Sequence, residues 1–255
     1  TIQEAHNLDL KIMIKPHLDI EGGSWRANLD PYDKDAFFQN YSNMILHYAD
    51  IGAQYGVEQL SVGAELYKLS TNPNNEPYWR DLIGKVRARY SGSLTYSANA
   101  NSQYYDEGGL PFWDTLDYWG VSAYFKMADN TNPTVDSIKT EWQKIANDYL
   151  VPMSQKINLP LIFAEVGYRS IDGAAMAPEN YSTSASLDLQ EQADLYQVLI
   201  EYWQDKNYFH GVHWWDWWPS ETAGGSGDKD YTPQRKPAQD VLKRYFVSAN
   251  SPTST

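Results

Sequence analysis

An α/β fold, with parallel strands joined by helices around a barrel-type sheet, is what this sequence predicts, and three observations predict it. Short apolar runs alternate with longer amphipathic segments along the chain, the signature of successive βα units. At 255 residues with 42% hydrophobic content, the chain is long enough to bury a sizeable core. Two of the apolar runs end on a glutamate, Glu65 and Glu165. A strand end beside a core is costly ground for a charge, whereas the mouth of a parallel barrel gathers such ends for chemistry.

The elements follow in order. Ile2 to His6 reads as the end of a helix, and Leu10 to Lys15 as the first strand. From Asp35 to Tyr55, Phe37, Phe38, Tyr41, Ile45, Tyr48 and Ala49 recur at helical spacing. Gln59 to Gly63 is the second strand, Tyr78 to Tyr90 a helix, Leu94 to Ala98 the third strand and Tyr118 to Ala123 the fourth. A helix over Val135 to Leu150 precedes the fifth strand, Pro160 to Ala164. Leu187 to Lys206 is helical, Gly211 to Trp215 is the sixth strand, Gly224 to Gly227 a flexible loop, and Pro237 to Phe246 the last helix. These elements make one domain over residues 1–247, with a polar tail at 248–255. An eight-stranded barrel needs two more βα units upstream. The expectation is therefore an N-terminally incomplete barrel, completed by a missing segment or a second chain that covers its open strand edges.

Composition narrows the partners. The chain has no cysteine, which excludes disulfides and thiolate chemistry. Thirty-three acidic against twenty basic residues give a formal charge of −13, a field that repels nucleic acid and anionic membranes but not a neutral polymer. No run of 18 apolar residues occurs, so no membrane-spanning helix is expected. No leader is visible; the expectation is a secreted, extracellular protein whose leader lies upstream, with a cytoplasmic one as the alternative. Aromatic residues make up 15% of the chain although its mean hydropathy is −0.60. Many rings are thus expected at surfaces or in a cleft, where sugar faces stack on them.

Paired carboxyls flanking a glycosidic bond are the machinery of glycoside hydrolysis. Glu165, in Ala164-Glu165-Val166-Gly167-Tyr168-Arg169, has Tyr124 and Arg169 as the nearest donors by motif; a structural ion pair with Arg169 is the competing reading. Glu65, in Gly63-Ala64-Glu65-Leu66, competes with a solvated glutamate at a helix start. His17, Asp19, Asn99 and Tyr124 follow strands and are candidates for sugar hydroxyls, or in the case of His17 and Asp19 for orienting a carboxylate. Of Trp214, Trp215, Trp217 and Trp218, either Trp215 or Trp217 is expected to floor a sugar ring, with Trp25 a second platform. His210 and His213 have no third ligand at hand, so neither metal nor cofactor is expected.

These motifs, together with Lys15-Pro16-His17, Tyr96-Ser97-Ala98-Asn99, Asp117 to Tyr124, Trp214-Trp215-Asp216-Trp217 and Tyr231 to Ala238, resemble glycoside hydrolase family 113. The resemblance runs in order over essentially the whole chain. It implies a TIM (β/α)8-type barrel of which strands three to eight are present, and a retaining β-1,4-mannanase. Within it Glu65 ends strand four as acid/base and Glu165 ends strand seven as nucleophile, with their carboxyls about 5–5.5 Å apart. The residue before the acid/base is Ala64 here, where many relatives of the wider clan carry Asn. A β-glucanase or xylanase of the same chemistry, and a non-catalytic carbohydrate-binding barrel, are the alternatives.

Overall fold

Each apolar run becomes a strand that ends close to a residue singled out above. A computed structural model of the protein describes residues 1–101, 105–182 and 184–249. In chain order the elements are α1 (Ile2–Asn7), β1 (Met13–Ile14), α2 (Lys34–Tyr55), β2 (Gln59–Ala64), α3 (Tyr67–Ser70), α4 (Glu76–Arg87), β3 (Ser93–Asn101) and β4 (Tyr105–Asp106). They continue with β5 (Trp119–Ser122), α5 (Val135–Ile145), α6 (Val151–Ile157), β6 (Leu161–Val166), α7 (Leu189–Trp203), β7 (Phe209–Trp214) and α8 (Pro237–Ala249). Six strands run parallel, and β4 turns back antiparallel on β3. The chain forms two units, Thr1–Ser122 with Ser154–Ile162, and Ala123–Met153 with Phe163–Thr255.

In the first unit β1, β2, β3 and β5 are neighbours in that order, in registers such as Ile14 beside Leu60 and Leu60 beside Leu94. The expected first strand shrinks to two residues; Leu8 and Leu10 ahead of it are exposed. Asp33 starts α2 by accepting the Ala36 amide. The core beneath is aromatic: Trp79 stacks on Phe112 at 5.1 Å and meets Phe38, Tyr41 and Tyr96 edge-on. Gly63 is dictated by this packing, because a Cβ there would meet the Tyr96 ring at 2.8 Å and the Tyr41 hydroxyl at 2.9 Å.

The antiparallel pairing of β4 with β3 returns Glu107 alongside Asn99, where it is fully buried. Its Oε1 accepts from the Tyr96 hydroxyl at 2.6 Å and from the Ser70 hydroxyl. Its Oε2 accepts from the Asn99 amide at 2.7 Å and the Asn99 side chain at 2.9 Å. Four donors hold the carboxylate, as a buried charge requires. Burial nonetheless pushes its pKa from 4.5 up to about 7, with the charge of Glu65 adding to the rise.

In the second unit Ala123 N donates to Glu165 O at 2.6 Å, and Trp215 N to Val166 O at 2.7 Å. A Cβ on Gly167 would lie 2.0 Å from the Trp215 carbonyl, so only glycine lets these two backbones meet. Trp142 is fully buried, stacked on Phe163 at 5.6 Å and edge-on to Trp203. A capping box of Thr134 and Ser137 starts α5, and Asp188 caps α7. The single helix expected over Val135 to Leu150 is instead α5, a π turn at Ala146–Leu150, and α6. Pro152 offers no amide to the carbonyl four residues back, which opens the turn before it.

The loop at Gly224 to Gly227 is not the free segment expected. Arg235 donates to the carbonyls of Thr222, Ala223 and Gly224, and the Gly225 amide donates to Gln234 O at 3.0 Å. Of the expected tail, residues 248 and 249 end α8 and 250–255 lie outside the described residues. The tryptophans divide between core and surface, with Trp79, Trp119, Trp142 and Trp203 buried in the cores and Trp25, Trp215, Trp217 and Trp218 exposed.

Trp142→Ala should cost about 3–5 kcal/mol of stability, read as a lower urea midpoint. A second test concerns Glu107. A carboxyl raised in the folded protein contributes stability that is fully present below about 4.5 and lost as pH climbs to about 7. Relative to Glu107→Gln, the unaltered protein should therefore lose roughly 3 kcal/mol of unfolding free energy across that window. Urea melts at each pH would check it, and a flat difference would show that Glu107 does not titrate there.

Candidate active site

In the first unit Glu65 follows β2 directly. Its backbone is left-handed, at φ +56°, which for a residue with a Cβ costs on the order of 1–2 kcal/mol. Bonds on both sides fix that geometry: Glu65 N donates to Ser97 O at 2.9 Å, and Leu66 N donates to the Tyr96 hydroxyl at 2.7 Å. Glu65 is 7% exposed. Its Oε2 accepts from Arg26 Nη1 at 3.2 Å and, over a longer 3.4 Å, from Trp25 Nε1. Arg26 also binds Asp19 at 2.7 Å and the Leu18 carbonyl at 2.8 Å. The guanidinium holds the Asp19 carboxyl below its usual range. Trp25 and Arg26 thus meet one oxygen of Glu65 from the loop after β1, with Asp19 behind the guanidinium.

In the second unit Glu165 lies within β6, one residue before its end, and is 8% exposed. Its Oε1 accepts from the Tyr124 hydroxyl at 2.7 Å. A short phenol–carboxylate bond of this kind fixes the direction in which the carboxyl points. Tyr124 is steadied edge-on by Tyr231, whose own hydroxyl donates to Pro178 O. Arg169 has its Nε on the Lys229 carbonyl at 3.2 Å and 4.0 Å from Asp230, so it ties down the 228–230 loop.

At the end of β7, Trp214 is packing: it stacks on Tyr196 at 4.0 Å. Trp215, Trp217 and Trp218 are each 40% exposed or more, so both expected platform residues present open ring surface. Gln234 holds this loop by both ends of its amide, accepting from Trp218 N at 2.7 Å and donating to Trp218 O at 3.0 Å. Lys236 is buried on Asp228 and on Ser170, bracing the adjoining loop.

Asp19 reaches Glu65 only through Arg26, consistent with orienting a carboxylate rather than meeting it directly. Asn99 is 5% exposed and commits its amide group to Glu107. His17 is half-buried in the loop after β1. Among the described residues no three His, Cys, Asp or Glu side chains gather as a metal site. Arg26 and Glu107 escaped the sequence reading, and Tyr96 and Gln234 entered it only within motifs, with no role of their own. Arg26 had one signal, its place beside an expected platform tryptophan. Glu107 had none, because Asp106-Glu107-Gly108-Gly109 reads as a solvated turn.

The model of Glycoside Hydrolase Family 113 matches residues 1–236. A GH113 β-1,4-mannanase structure shares 30% identity at a TM-score of 0.77, covering 97% of this chain and 77% of its own. The GH113 β-mannanase of Alicyclobacillus acidocaldarius, in complex with ManMIm, shares 30% identity at 0.80, covering 97% and 76%. A Faecalibacterium prausnitzii β-glucuronidase, 14% identical at 0.63 over 96% of this chain and 44% of its own, shares the fold alone. No curated protein matches. The six parallel strands are those of a TIM-type barrel fold, and the chain belongs to glycoside hydrolase family 113.

Proposed function

We propose that this glycoside hydrolase cleaves β-1,4-mannosidic bonds by double displacement, with Glu165 as nucleophile and Glu65 as acid/base. The observation that carries the reading is the setting of Glu165: a nearly buried carboxylate next to the end of a strand, with the Tyr124 hydroxyl 2.7 Å from one oxygen. The mannan preference draws its support from the mannanases that this chain resembles at 30% identity.

Glu165 attacks the anomeric carbon, and the bond to the departing glycosidic oxygen breaks as Glu65 gives that oxygen its proton. The product of this step is a glycosyl ester on Glu165. Glu65, now a carboxylate, takes a proton from water, whose oxygen displaces Glu165 and restores the original anomeric configuration. Arg26 suits the second half, since its charge steadies Glu65 as the base. Asp19 shares that guanidinium and so moderates its pull when Glu65 must carry a proton. The exposed faces of Trp25, Trp215 and Trp217 offer stacking surface to a polysaccharide.

Release of reducing ends from β-1,4-manno-oligosaccharides, beside β-glucan and xylan series, tests the substrate. Faster release from either of the other polymers would reassign it. Glu165→Ala should lower turnover by several orders of magnitude. Proton NMR of the first-formed product should show retained β configuration, and an inverted product would sink the mechanism. Tyr124→Phe removes one charge-assisted bond and should lower kcat/KM by about 10- to 100-fold, with urea stability close to that of the unaltered protein.

A further inference from the structure

Glu107 is fully buried and cannot touch a sugar, yet its bonds lead straight to Glu65. The Tyr96 hydroxyl has one hydrogen, and Glu107 Oε1 takes it at 2.6 Å. That fixes the hydroxyl's lone pairs on the opposite side, where the Leu66 amide donates at 2.7 Å. Leu66 is the next residue after Glu65, whose left-handed backbone is strained. The same carboxyl oxygen accepts from Ser70, at the end of the α3 turn that begins two residues after Glu65. The other oxygen binds Asn99 on β3, two residues beyond Ser97, whose carbonyl accepts the Glu65 amide. Each bond here is buried, and a charged acceptor at the end of such a chain strengthens the bonds before it. The Cβ-less Gly63 leaves the Tyr96 ring room to lie under β2.

We propose that Glu107 is a positioning residue for the reaction: through Tyr96 and the Leu66 amide it holds Glu65 in the strained backbone geometry from which the carboxyl serves the departing oxygen. This rests on the acid/base role of Glu65. Glu107 itself makes no contact with the reacting atoms.

The test compares Glu107→Gln, Tyr96→Phe and Glu65→Gln on two aryl glycosides of the sugar that the unaltered protein cleaves. One carries a 2,4-dinitrophenyl group, which leaves without a proton, and the other a 4-methylphenyl group, which needs one. With Glu65 misplaced, kcat/KM for the methylphenyl substrate should fall about 10- to 100-fold in both positioning variants. For the dinitrophenyl substrate it should change less than about threefold. Azide should then raise kcat on the dinitrophenyl substrate, its nitrogen displacing Glu165 from the glycosyl ester to give the β-glycosyl azide. Equal losses on both substrates, with no azide effect, would reduce Glu107 to a structural tie and overturn the proposal. Should Glu107→Gln not fold, as judged by circular dichroism, Tyr96→Phe decides alone, since it removes one hydroxyl and leaves the ring in place. If Glu65→Gln is selective for leaving group and the other two are not, the positioning role falls alone. If Glu65→Gln is itself unselective, the acid/base reading falls and takes the proposal with it.

Discussion

A carboxylate shut away from water keeps its charge only where the chain supplies donors in fixed places, since neither a lone buried anion nor a half-satisfied one is tolerable. Glu65, Glu107 and Glu165 all live under that constraint. Glu65 meets it with Arg26, Glu107 with Tyr96, Ser70 and Asn99, and Glu165 with Tyr124. Apart from Ser70 on α3, those donors come from a neighbouring strand or the loop that follows it. The parallel sheet is therefore more than a scaffold: bringing strand ends side by side is what lets donors on one strand satisfy acids on the next.

The donors hold still because what lies under them does. Trp79 with Phe112 and Tyr96 in one unit, and Trp142 with Phe163 and Trp203 in the other, are close-packed aromatic clusters with few ways to rearrange. Tyr96 belongs to both worlds, its ring in the cluster and its hydroxyl in the polar network. That dual placement carries the rigidity of the core to the backbone of Glu65. It also accounts for a non-glycine residue persisting in a left-handed conformation, which survives only where its surroundings over-determine it.

Much of this was legible in the sequence, for physical reasons. Buried parallel strands read as unbroken apolar runs, so β2, β3, β5 and β6 stood out, and Glu65 and Glu165 were visible as charges closing two of them. Tyr124 was reachable as a donor because it follows the strand beside Glu165. The interrupted helix was not, because the apolar spacing over Val135 to Leu150 is the same whether the last turn is α or π. Glu107 was hidden for a different reason: its surroundings arise from the antiparallel pairing of β4 with β3, and sequence spacing carries no trace of what a reversal brings near. Arg26 was similarly a matter of three-dimensional reach, since a long side chain on an irregular loop has no periodicity to betray its aim.

The grip of Gln234 on Trp218 bears on how this surface could be re-engineered. One amide engages both the N–H and the C=O of a single tryptophan residue, while the backbone around Gln234 is itself fastened to the glycine-rich turn. The tryptophan ribbon and the stretch leading into α8 are in effect one exchangeable cassette. Because both bonds go to the backbone of position 218, a graft from a relative that imports residues 214–220 alone keeps them only where its backbone follows the same path past Gln234. A chimaera that carries 214–236 as a block keeps its own fastening and arrives with its rings already aimed.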